Sequence, residues 1–117
     1  MRVLFVCQEN QLRSPTAEAI YRDDPRVSVR SAGVSSSVAR RISAADVEWA
    51  EIIFVMEAAH FHKLRRQFPH ISSICRVVIL SIPDRYDYKD PELISILKSK
   101  VEPYLDGVLR VHVQGER

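Results

Sequence analysis

Two cysteines among 117 residues, 68 positions apart, cannot make a disulfide framework, so both thiols are expected free, as in a reducing compartment. A net charge of only +2 indicates neither nucleic acid nor a membrane as partner and does not oppose an anionic substrate. The apolar opening Val3-Leu4-Phe5-Val6 is four residues long, without a basic leader or small-residue cleavage site, so neither signal peptide nor membrane span is expected and a soluble cytoplasmic protein is. The four histidines lack metal-ligand spacing: His60 and His62 are two apart, on different sides of a helix. All four are expected at the surface, and no metal or cofactor is implied. No internal repeat or low-complexity tract is visible. With 46% apolar side chains, residues 1–117 are expected to form one domain that buries around two thirds of its unfolded surface.

What the chain does have lies at its amino end, in Val3-Leu4-Phe5-Val6-Cys7-Gln8-Glu9-Asn10-Gln11-Leu12-Arg13-Ser14-Pro15. The apolar run reads as a buried strand, and Ser14-Pro15 reads as a helix start with serine at the cap and proline in the first turn. The residues between Cys7 and Ser14 must then turn tightly from strand end to helix start. Their backbone N–H groups converge on one point, where the helix dipole adds positive field and Arg13 can fork around two oxygens of an anion. A phosphate dianion suits such a hole, with Cys7 at its floor. Given 13 arginines and 12 serines, chance puts Arg-Ser at this spacing after one of the two cysteines about 2% of the time. Cys75 has Ser81 six residues on and fails the test. The competing reading of Cys7 is a small buried hydrophobe at a strand end.

The rest alternates strand with helix. Pro15 to Arg22 reads as a helix, Val27 to Arg30 as an edge strand, and Ser31 through Arg41 as a loop in which Gly33 is the position for positive φ. Ser43-Ala44-Ala45-Asp46 resembles a capping box opening a helix to Trp49. Ile52 to Met56 is a central strand. Ala58, Phe61, Leu64 and Phe68 recur at helical spacing, Val77 to Leu80 forms the fourth strand, and Leu93, Leu97, Val101, Tyr104 and Val108 make the apolar face of a last helix containing Pro103. The fold class is therefore α/β, a four-stranded parallel sheet wrapped on both faces, with ligands at the carboxyl ends of its strands.

Expelling an alkoxide or phenoxide needs an acid across the pocket. The loop Ser81 to Pro91, at the carboxyl end of the fourth strand, offers Asp84, Asp87 and Asp90. Asp90 before Pro91-Glu92 reads as a helix N-cap. Asp84, stiffened by Pro83 and soonest after the strand, ranks ahead of Asp87. Tyr86 and Tyr88 are either an aromatic wall for a phenyl phosphate or half-exposed loop tyrosines.

Together these residues resemble the low-molecular-weight protein tyrosine phosphatases, a family with a first strand ending in V-C-x-G-N-x-C-R-S-P and an acid in a late Asp-Pro-Tyr-Tyr-like loop. Cys7, Asn10, Arg13, Ser14, Pro15, Ala17, Glu18 and Ser31-Ala32-Gly33 stand at the family's positions, Asp84 to Tyr88 resembles its acid loop, and the resemblance covers nearly the whole chain. It implies a three-layer sandwich with sheet order 2-1-3-4. It also implies a metal-independent phosphomonoester hydrolase, in particular a protein tyrosine phosphatase working through phosphocysteine. Cys7 would be the nucleophile, held as thiolate by the helix dipole, Arg13 and Ser14. Gln8, Glu9, Asn10, Gln11, Leu12, Arg13 and Ser14 would bind phosphate, Asn10 would brace the loop, and Asp84 would act as general acid and base. The implied partner is a phosphorylated protein or a small phosphomonoester.

The departures from the pattern are Glu9 for the loop glycine, Leu12 for its second cysteine, Arg85 for the proline after the acid, and a shortened segment between Gly33 and Arg40. The loop is also similar to the C-x-x-N-Q-x-R-S of eukaryotic phosphatases acting on phosphoserine in the RNA polymerase tail. Alternatives are a phosphate- or phosphoprotein-binding module without turnover, suggested by Glu9 and the shortened segment, and an arsenate reductase-like enzyme, for which only Cys75 remains as a relay thiol. Sugar-transport phosphocarrier domains also keep a cysteine after the first strand, but without the arginine.

Overall fold

Val3-Leu4-Phe5-Val6 has no polar side chain to offer water, and its strand lies in the middle of the sheet with both faces covered. In the computed structural model, which describes residues 1–114 and side chains to residue 105, strand β1 (Arg2–Cys7) pairs with β2 (Ser28–Gly33) on one side and β3 (Ile52–Val55) on the other, with β4 (Arg76–Ile79) outside β3. All pairs are parallel and the order is β2-β1-β3-β4, the doubly covered four-stranded sheet expected. The helices are α1 (Arg13–Tyr21), α2 (Ala44–Trp49), α3 (Ala58–Gln67), α4 (Ile71–Ile74) and α5 (Pro91–Gln114).

Side chains alternate across β1 and so divide the core in two. Val3, Phe5 and Cys7 join Ala17 and Tyr21 of α1 and Leu93, Leu97 and Val101 of α5. Leu4 and Val6 join Val47 of α2, Leu64 of α3 and Ile71 of α4. Cys7 and Cys75 therefore belong to core clusters on opposite faces of the sheet, and both are free thiols. The expected apolar face of α5 is buried at Leu93, Leu97 and Val101, and Tyr104 meets Phe54 edge-on at 5.5 Å; the side chain of Val108 lies outside the described residues.

Several local expectations are corrected. Strand β2 continues through Ser31-Ala32-Gly33 rather than giving way to loop, because these residues pair with Phe5, Val6 and Cys7 of the buried central strand. Gly33 does not take positive φ. It is the tight approach that requires glycine: a Cβ there would sit 3.0 Å from the carbonyl oxygen of Gln8, 3.1 Å from the carbonyl carbon of Glu9 and 2.9 Å from the Val38 side chain. The loop after Cys7 is packed directly on this strand. Helix α4 is a single turn that carries no periodic signal, and β4 runs one residue earlier than expected.

The capping box at Ser43 forms as expected: Ser43 Oγ accepts from the Asp46 N–H at 3.3 Å, and Asp46 Oδ2 accepts from the Ser43 N–H at 3.0 Å. Hydrogen bonds from Arg40 hold the buried Asp46 carboxyl at about 2. Among the described residues, no helix is long and apolar enough to cross a membrane.

Candidate active site

Strand β1 ends at Cys7 and helix α1 begins at Arg13, so five residues, Gln8 to Leu12, make the turn between them. Asn10 takes φ of 55°, the left-handed backbone that asparagine accepts most readily after glycine, and its Nδ2 donates to Ser14 Oγ at 2.9 Å. Ser14 Oγ in turn lies 2.9 Å from Cys7 Sγ. This corrects the expected cap. Ser14 is the second residue of the helix, not its N-cap, because its hydroxyl is engaged by the thiol and the Asn10 amide. Leu12 occupies the cap position and offers no side-chain acceptor. Among the described residues, the backbone N–H groups of residues 8 to 14 find no hydrogen-bond acceptor. A curved row of free donors at a helix start is the arrangement that binds tetrahedral oxyanions.

Cys7, Gln8, Glu9, Gln11, Leu12, Arg13 and Asp84 line one cavity of about 110 Å³. A single water needs on the order of 10–15 Å³ of such space, so the cavity has room for a phosphoryl group. Cys7 is only 3% exposed, buried apart from its opening to this cavity. Arg13 is equally buried, and its Nη1 donates to Glu57 Oε2 at 2.5 Å and to the Ile82 carbonyl at 2.7 Å. Those two acceptors fix the guanidinium by one nitrogen and leave Nε and Nη2 for another ligand. Nε is 3.9 Å from Asp84 Oδ1.

The loop from Ser81 to Pro91 is held at both sides of Asp84. Ile82 and Tyr86 are buried in the α1–α5 face of the core, the Ile82 N–H donates to the Met56 carbonyl at 2.8 Å, and the Lys89 N–H donates to Thr16 Oγ1 at 2.9 Å. Ser81 and Lys89 both adopt positive φ, and between these turns Asp84 projects with 63% of its side chain exposed. Asp87 does not line the cavity; its carbonyl accepts from the Asp90 N–H. Asp90 Oδ1 accepts from the Glu92 N–H at 2.8 Å, in the N-cap role anticipated for it. Tyr86 is a core residue and Tyr88 is exposed beside Lys89, and neither lines this cavity.

Sequence reasoning missed Glu57 and His60. Glu57 follows the buried Met56 at the carboxyl end of β3, on the rim where ligands bind such sheets, and that position was the available signal. His60 is buried, not at the surface; its Nδ1 accepts from the Glu57 N–H at 3.1 Å, and its Nε2 is 3.7 Å from Glu57 Oε2. Burial first, and then the Arg13 guanidinium, push the imidazole down to about 4. A histidine that is neutral when folded and ordinary when unfolded stabilises the fold fully above pH 6.5. Between pH 6.5 and about 4 the unfolded chain binds the extra proton, and up to about 3 kcal/mol is lost. Urea unfolding across that range should show the loss in the wild type and a flatter profile in His60→Gln; equal slopes would refute the assignment.

The second thiol has no part in this site. Cys75 Sγ is 3.8 Å from the Ile71 carbonyl on the far face, and burial pushes its thiol up.

The sequence model for low molecular weight phosphotyrosine protein phosphatase matches residues 2–43. No curated protein sequence matches the chain. Among solved structures, a YwlE mutant from Bacillus subtilis is 25% identical over 89% of this chain and 98% of its own, with a TM-score of 0.70. A YwlE arginine phosphatase variant with a phosphorylated active-site serine is 24% identical over 87% and 96%, with a TM-score of 0.67. The tyrosine phosphatase Wzb from Escherichia coli K30, in complex with phosphate, is 18% identical over 91% and 96%, with a TM-score of 0.72. The last two likenesses are of fold, whereas the matched segment contains β1, the whole loop, α1 and β2. By that segment and by its fold, the chain is similar to the low molecular weight phosphotyrosine protein phosphatases.

Proposed function

We propose that the chain is a metal-independent phosphomonoesterase that works through a phosphocysteine at Cys7. The observation carrying this reading is one small cavity that has a thiol at its floor, a row of unpaired amides around it, a tethered buried arginine on one side and Asp84 at its mouth. The phosphoryl oxygens take the amides of residues 8 to 13 and the Nε and Nη2 of Arg13, contacts that persist as charge spreads over them in the transition state. The Cys7 thiolate, steadied by Ser14 Oγ, attacks phosphorus; the P–O bond to the leaving group breaks, and Asp84 gives its proton to the departing oxygen. Water then attacks the phosphocysteine, Asp84 takes the water proton, and the P–S bond breaks to return thiolate and phosphate. A phosphorylated serine at the active site of a fold relative supports such a covalent step. A cytoplasmic location suits a free thiol in this role.

The wild type is expected to hydrolyse para-nitrophenyl phosphate. Asp84→Asn should lower kcat by roughly 10²-fold. Phosphate binding with no wild-type turnover would instead make the chain a binding module.

A second reading concerns the leaving group. Glu9 and Asp84 both line the cavity and no aromatic ring walls it, which suits a cationic guanidinium better than a phenyl ring. One relative is named an arginine phosphatase. A higher kcat/KM for phosphoarginine than for phosphotyrosine, reduced by Glu9→Gly, would establish this preference; the reverse order would exclude it.

A further inference from the structure

Beside the phosphate cavity lies a second, wider groove of about 410 Å³, lined by Gln8, Val34, Ser35, Ser36, Arg41, Lys63, Arg66 and Gln67. Gln8 belongs to both spaces. Lys63, Arg66 and Gln67 are three and four residues apart and so share one face of α3. Arg41 comes from the loop before α2, where its backbone bridges to Gly33. The lining holds three cations and no carboxylate. Some arginines elsewhere have acidic partners, Arg2 with Glu51, Arg26 with Asp24 and Glu102, and Arg40 with Asp46, whereas Arg22, Arg65, Arg76 and Arg85 are scattered cations that line neither space. Among the described residues, Arg41, Lys63 and Arg66 form no ion pair, and the Lys63 ammonium donates at 2.7 Å to the neutral amide of Gln8.

We propose that this groove binds an acidic polypeptide segment flanking the phosphorylated residue of the substrate, a proposal that rests on the phosphatase reading above. The groove is nearly four times the volume of the phosphate cavity and shares the Gln8 wall with it. Its cations are spread along a helix and a loop instead of converging on one point, a layout for several carboxylates in a chain rather than for a lone ion. Arg41 and Arg66 are exposed, so each pair is screened and worth only a few-fold. Three together give a preference on the order of tenfold at low salt.

The decisive comparison sets three substrates against the full chain: para-nitrophenyl phosphate, a phosphotyrosine peptide with Asp and Glu on both sides, and the same peptide with Ser and Gln there. The wild type should favour the acidic peptide over the neutral one about tenfold in kcat/KM, with the advantage fading as salt rises. R41E/R66E should reverse that order while hydrolysing para-nitrophenyl phosphate within about twofold of wild type. Equal rates on the two peptides, or equal loss on all three substrates, would overturn the proposal. A binding arm does not require turnover: an unphosphorylated acidic peptide should shift the amide resonances of Ser35, Ser36 and Arg41 in the wild type and not in R41E/R66E. If para-nitrophenyl phosphate is not turned over but these shifts appear, the hydrolytic reading fails and the groove stands. If inorganic phosphate alone produces the same shifts and the peptide adds nothing, the groove is a small-anion site and the proposal fails.

Discussion

Serine in place of Cys7 is expected to abolish steady-state turnover of para-nitrophenyl phosphate, by four to six orders of magnitude, on the scale seen when an enzyme loses its nucleophile. The reason is chemical rather than structural. A hydroxyl ionises far less readily than a thiol, and the groups around position 7, a serine hydroxyl and a helix start, do not make up that difference for an alkoxide. The substitution itself is nearly isosteric. Ser14 Oγ can still bond the new hydroxyl, Asn10 still bonds Ser14, and Arg13 keeps Glu57 and the Ile82 carbonyl. Inorganic phosphate should therefore bind Cys7→Ser about as well as wild type by calorimetry, and the thermal midpoint should barely move. Residual turnover above about 1%, or loss of phosphate binding together with turnover, would remove Cys7 from the nucleophile's place.

The parts of this site legible in the sequence are those whose geometry is local. A four-residue apolar run ending in cysteine, an asparagine able to take positive φ, and Arg-Ser-Pro at a helix start specify a strand, a turn and a helix within fifteen residues. The structure adds only which atom each side chain reaches. Ser14 shows the limit: a serine before proline satisfies the capping rule, but here a thiol and an amide compete for its hydroxyl and win. Gly33 was legible as special and misread as to why, since a close approach by the loop after Cys7 cannot be seen from residue 33 outward.

What was not legible depends on contacts across the sheet. Glu57 reaches Arg13 over 44 positions and Ile82 over 69, and no spacing rule links such residues. Tyr86 and His60 look like surface residues because their neighbours are polar; they are buried because the loop after β4 and the start of α3 pack on the core. The charge pattern behaved likewise. A net charge of +2 conceals a groove without acids beside a cavity whose mouth carries Glu9 and Asp84.

Arg13→Lys keeps the charge and should still lower kcat/KM for para-nitrophenyl phosphate by about 10³-fold, which separates the shape of the guanidinium from its sign. In the wild type one nitrogen is occupied by Glu57 and the Ile82 carbonyl, and in the proposed reaction this tether makes the remaining Nε and Nη2 a fixed pair of donors for the phosphoryl oxygens. An ammonium is a single point with three donors. It either stays with Glu57 and leaves the phosphoryl group, or follows the phosphoryl group and leaves the Ile82 carbonyl without its donor. Losing one preorganised donor in an enclosed site costs roughly 10²–10³-fold, and arginines at transferring phosphoryl groups account for 10³-fold or more. Because the contact strengthens in the transition state, the loss should fall mainly on kcat, with KM rising by less than tenfold. Glu57→Gln should show a smaller defect of the same kind, since it loosens the tether without removing the fork. A lysine variant within tenfold of wild type would mean that charge alone suffices and that the tether contributes nothing to the reaction.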